Sequence, residues 1–143
     1  MDMRSGMRAN RRDPNFRALT PFTRLPSNAC TFSVENDASA PHLLKGEFAV
    51  VDTDDCELQH GELYVIQYMS GRREVVQART DRTFWWVGDL RGYRQTGLIS
   101  GIPVFEGLVD GPYEREHLQS KLVGRIIGFA SMPLGAVLSS YRQ

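Results

Sequence analysis

Asp37-Ala38-Ser39-Ala40-Pro41-His42 gathers the residues best placed for chemistry in this 143-residue chain. Ser39 offers a hydroxyl, His42 an imidazole that titrates near neutrality, and Lys45 an amine a little further on. A serine hydroxyl is a poor nucleophile unless a neighbour takes its proton, so a hydrolase centred on Ser39 would need His42 or a lysine as base. Lys45 lies in the turn Lys45-Gly46-Glu47 and is expected to be solvated and charged. The plain alternative is a loop hydroxyl that caps backbone groups. Cys30 and Cys56 are too few and too far apart for a paired-cysteine metal or redox motif, and read as reduced thiols. His42, His60 and His117 have no metal-ligand spacing. No metal and no cofactor are expected.

The elements around this loop read as strands. Short apolar segments rich in β-branched and aromatic residues fall at Cys30–Val34, Phe48–Val51, Leu63–Tyr68, Glu74–Ala78, Thr83–Val87 and Leu122–Phe129. Ser70-Gly71 reads as a hairpin turn between two of them. Lys45-Gly46-Glu47 and His60-Gly61-Glu62 each introduce a strand in the same way. The fold class expected is therefore mostly β, of short and largely antiparallel strands with few helical turns. Glycines at 88, 92, 97, 101, 107 and 111 mark a long excursion or an extra hairpin over about 88–111. Pro112 to His117 offers a helical turn before the last long strand.

Residues 1–28 read differently. Three prolines, many arginines and few apolar residues suit a flexible basic arm, with the folded domain at 29–143. Residues 1–24 carry a balance of +4 in a chain whose net charge is zero. Arg4, Arg8, Arg11 and Arg12 are candidates for phosphate contact, and a nucleic-acid-associated protein using this arm is one alternative function. Only Phe16 and Phe22 are there to stack on bases. No apolar run is long enough to span a membrane and no apolar stretch follows the basic N-terminus as in a secretory signal, so a cytoplasmic address is expected.

In order and spacing the motifs resemble the C-terminal self-cleaving serine peptidase domain of LexA and phage CI repressors, related in fold to signal peptidases. That family's nucleophile loop typically reads G-D-S-M-E-P-T-(I/L)-x-x-G-D before an apolar strand and an aspartate. The counterpart here is Asn36-Asp37-Ala38-Ser39-Ala40-Pro41-His42-Leu43-Leu44-Lys45-Gly46-Glu47, then Phe48 to Asp52. The family's G-(D/E)-L-Y-V-V strand resembles Gly61 to Ile66, its V-K-R resembles Val76-Gln77-Ala78-Arg79, and its I-V-G-R-V-V-G resembles Leu122 to Gly128. The likeness covers roughly Thr31 to Phe129, with the glycine-rich stretch longer than the family needs.

Its chemistry is a serine–lysine dyad in which a desolvated, neutral lysine takes the serine proton. The resemblance puts Ala38 at the serine position and Gln77 at the lysine position. An alanine has no attacking atom and a glutamine amide no usable basicity. Ser39 stands one place late, and in extended backbone a one-residue offset turns a side chain to the opposite side. Nor does an Ala-Gly or Cys-Gly bond, the family's cleavage site, precede Ala38 in this sequence, and residues 1–28 are not expected to form a helix-turn-helix.

What the resemblance then implies is a stand-alone pseudo-peptidase acting by protein–protein contact in transcriptional or phage-type regulation. It would self-associate, most simply as a homodimer, or modulate a partner. The binding cleft would be formed by Asp37, Ala38, Ser39, Pro41, Gln77 and Trp86. Of the adjacent indoles Trp85 and Trp86, which must face opposite sides of a strand, one is expected in the core and one exposed as an interface anchor unless the glycine-rich stretch covers both. A residual hydrolase or autoprotease using Ser39 is the other alternative.

Overall fold

The computed structural model describes residues 19–89, 94–106 and 109–140. The chain is mostly β, with its strands largely antiparallel. In order they are β1 (Thr20–Pro21), β2 (Ala29–Ser33), β3 (Phe48–Asp52), β4 (Leu63–Gln67), β5 (Arg73–Thr80) and β6 (Trp85–Gly88). Then follow β7 (Arg94–Ile99), β8 (Ile102–Glu106), β9 (Val109–Tyr113), the one-turn helix α1 (Arg115–Gln119), β10 (Leu122–Ala130) and β11 (Val137–Leu138). Nine strands share one sheet in the order β11-β2-β3-β10-β4-β5-β6-β9, with β1 added alongside β10. Strands β7 and β8 form a separate two-stranded sheet. The glycine-rich stretch is thus an extra hairpin between β6 and β9.

Alternation along the central strands builds a core on each face of the sheet. In β4, Leu63 and Val65 join Phe32, Val34, Leu43, Ala49, Val51 and Ile126 on one face. Tyr64 and Ile66 join Leu58, Val76, Ala78, Trp85, Val87 and Leu118 on the other. The pairing Leu63↔Gln77 to Gln67↔Arg73 therefore sets Arg73, Val75 and Gln77 on the first face. At the ends of the two turn-then-strand units, Gly46 and Gly61 take φ of +89° and +87°, a region that favours glycine and lets the chain reverse into β3 and β4. Tyr64 ties the second unit together. Its hydroxyl donates to Glu57 O at 2.6 Å and accepts from the Gln59 N–H at 2.8 Å.

The boundary drawn at residue 28 falls inside the fold. Thr20 and Pro21 pair parallel with Gly128 and Phe129, and the Phe22 N–H donates to Phe129 O at 2.8 Å. Asn28 O accepts from both the backbone and the hydroxyl of Thr53. Composition alone hid this, because a two-residue strand with a proline carries no period. Arg4, Arg8, Arg11 and Arg12 lie outside the described residues.

Candidate functional site

The loop from Glu35 to Glu47 is closed at its base. The Val34 N–H donates to Glu47 O and the Gly46 N–H to Val34 O, each at 3.0 Å. Side chains then set its shape. Asn36 Oδ1 accepts from the Ala38 N–H at 2.9 Å, Asp37 Oδ1 from the Lys45 N–H at 2.8 Å, and Glu47 Oε1 from the Leu44 N–H at 2.8 Å. These are the local side-chain-to-backbone bonds that short polar residues make in place of regular structure. Leu43, fully buried in the first core, pins the far side of the loop.

Beside this loop lies a cleft of about 480 Å³. Ala38 and Ser39 form one wall, with Phe32, Val34 and Val75 supplying apolar surface. Ala38 is half-buried, whereas Ser39 is only 4% exposed. The Ser39 carbonyl accepts from the N–H groups of His42 and Leu43. Pro41 is half-buried, and Asp37 spends a carboxylate oxygen on the loop itself.

Charge is concentrated on the cleft's rim, where Glu35, Glu74, Asp89 and Asp110 meet Arg72 and Arg73. Much of it is engaged. Glu74 accepts from the Tyr68 hydroxyl and from Arg72, both at 2.7 Å, and the Arg72 guanidinium stands 4.9 Å from the Tyr68 ring centroid. Burial first, then the bond to Glu74 and its charge, pushes the Tyr68 phenol well above its ordinary value. Arg73 Nε donates to Gln67 Oε1 at 2.9 Å, and the Tyr113 hydroxyl bonds Asp110.

Among the described residues, strand β5 leaves part of its backbone edge open beside the cleft. The Ala78 N–H and O bond Glu62 O and the Gly61 N–H, so residues 78, 76 and 74 turn their backbone groups towards β4. Residues 77, 75 and 73 must turn theirs the other way. On that side β6 pairs with β5 only as far as Gln77↔Gly88, and the Arg73 N–H is taken by Ser140 O at 2.5 Å. Between these two, no described residue pairs with the outward N–H and C=O of Val75, and Val75 lines the cleft. The lining of the cleft by Val75, Gly88 and Ser140 agrees with this. Periodicity marks Val75 only as a strand residue; among the described residues β6 ends at Gly88 while β5 runs on to Arg73.

Gln77 lies two residues along the same face from Val75. Its amide donates to Gly61 O at 3.0 Å and accepts from Arg79 Nε at 3.1 Å, fastening the turn that leads into β4. The two indoles do face opposite ways, but neither is exposed. Trp85 sits in the second core under the Arg115 guanidinium, 5.5 Å from its ring. Trp86 is 3% exposed and packs so closely on Gly111 that a Cβ there would lie 2.7 Å from the indole. Neither indole is the expected exposed one, and Gly111 of the neighbouring strand β9 packs directly against Trp86.

Among the described residues, no three His, Cys, Asp or Glu side chains converge as a metal site would require, and no helix is long and apolar enough to cross a membrane. No family model, curated protein or solved structure matches the chain.

Proposed function

We propose that this is a catalytically silent LexA/CI-like domain that works by protein–protein contact, holding an extended segment of a partner or of a second copy in the cleft beside Ala38. One observation carries the reading: among the described residues nothing pairs with the outward N–H and C=O of Val75, which lines a cleft together with Ala38 and Ser39. An incoming extended chain can bond both groups and continue the sheet, taking affinity from main-chain bonds and selectivity from the walls. Phe32, Val34 and Val75 suit an apolar side chain, and the charged rim suits polar ones on alternate positions. Alanine and glutamine at the two dyad positions leave binding as the remaining use of such a cleft. Regulation of a repressor-type partner is the setting the resemblance suggests.

A photo-reactive p-benzoylphenylalanine at Ala38 tests this reading. Cross-links to one defined extended segment, suppressed by Val75→Pro in a protein that still folds, support it. Cross-links that are scattered, or unaffected by Val75→Pro, overturn it.

A further inference from the structure

Ser39 is 4% exposed and lines the cleft, yet among the described residues its hydroxyl bonds nothing. The bonds this residue makes run through its carbonyl, to the His42 and Leu43 N–H groups. Its neighbours Asn36 and Asp37 spend their side chains on backbone N–H groups of the loop. Buried polar groups are nearly always partnered, so a serine that keeps both donor and acceptor free beside a cavity points to a ligand.

Charge around the same cleft is unbalanced. Glu35, Glu74, Asp89 and Asp110 meet Arg72 and Arg73, two more carboxylates than guanidiniums. Glu74 is matched by Arg72, and Arg73 is held at Nε by Gln67. Glu35 is exposed, and its carboxylate bonds none of the described residues. Asp89 follows β6 directly, and Asp110 on β9 stands opposite Val87. These two therefore sit about the point where β6 stops pairing with β5, at Gln77↔Gly88. A strand that bonds Val75 continues the line of β6 and meets them there.

We propose that the occupant of the cleft is an extended segment of a partner protein carrying a lysine or arginine, its cation set against Glu35, Asp89 and Asp110 and its main chain bonded by the Ser39 hydroxyl. This rests on the cleft-binding reading above and adds the chemistry of the segment. Complementary charge speeds and orients the encounter, and a carboxylate on the segment is repelled. The hydroxyl can donate to a carbonyl or accept from an N–H, so it serves a main chain of any sequence. Charge selectivity and general affinity thus come from different residues. Ser39 acts by holding the segment and not by attacking it.

Amide chemical-shift titrations of the full chain test it, with acetyl-Ala-Val-Lys-Val-Ala-amide and its glutamine and glutamate counterparts as probes. The lysine peptide is expected to shift the Val75 and Ser39 amides and to bind about fivefold more tightly than the glutamate peptide at low salt, the gap narrowing as salt is raised. Glu35→Gln should shrink that gap and leave the affinity of the glutamine peptide unchanged. Ser39→Ala should weaken all three peptides by a similar factor, about threefold to tenfold. Equal affinity for the lysine and glutamate peptides, or a Ser39→Ala variant that binds all three as the wild type does, overturns the inference while leaving cleft binding intact. No shift at Val75 with any peptide overturns both. A photo-cross-link from position 38 to residues 1–18 of the same chain, persisting with the lysine peptide present, gives the cleft to that segment and overturns the assignment to a partner.

Discussion

Replacing Tyr64 with phenylalanine probes how the centre of the sheet is held. Tyr64 is fully buried, and its hydroxyl serves both Glu57 O and the Gln59 N–H. Phenylalanine keeps the ring and its packing but leaves both backbone groups without that partner. A polar group stranded in this way costs about 1–3 kcal/mol. Since the 57–59 segment can admit water after a small movement, we expect a loss of about 2 kcal/mol rather than the sum for two groups. With an m-value of about 2 kcal/mol/M, the urea midpoint should fall by about 1 M at unchanged m. Equilibrium unfolding followed by tryptophan emission reads this directly, because Trp85 lies in the same core cluster as Tyr64. A midpoint shift below about 0.2 M at unchanged m, equivalent to less than about 0.5 kcal/mol, would refute the reasoning.

Two further outcomes follow from the site and its surroundings. A fluorophosphonate probe at neutral or alkaline pH should leave the protein unlabelled, and labelling lost on Ser39→Ala would restore the hydrolase alternative. Stability should fall at alkaline pH. Burial raises the thiols of Cys30 and Cys56, the latter helped by Asp55, Asp52 and Asp54, and burial also raises the phenols of Tyr64, Tyr68 and Tyr113. The folded state thus holds these protons longer than the unfolded one. Their contribution is complete below the ordinary values of 9.0 and 10.0 and is lost as pH rises through the folded values. A urea midpoint that falls above about pH 9 is expected, and one that rises there would contradict this assignment.

Much of the fold was legible because its signals are local. Alternating β-branched residues marked β2 to β6 and β10, and Gly46 and Gly61 marked the reversals that precede β3 and β4. Less legible were features set by long-range pairing. The Thr20–Pro21 strand exists only because the backbone beside Gly128 is free to receive it, with a Cβ at 128 lying just 2.3 Å from Thr20 O. The close packing of Trp86 depends on β9 returning beside β6, which sets Gly111 against the indole. At the cleft, the loop around Ala38 and Ser39 could be located from its turn signals. The open backbone at Val75 could not, since it follows from where β6 stops and where Ser140 arrives.

Hydrogen exchange along β5 tests the central claim most directly. In the free protein the Glu74 and Val76 amides, directed at β4, should be protected, as should Arg73 through Ser140 O. The Val75 amide between them should exchange rapidly, and become protected when the segment identified by cross-linking at Ala38 is bound. A Val75 amide as protected as its neighbours in the free protein, or one unchanged by that segment, would contradict the account.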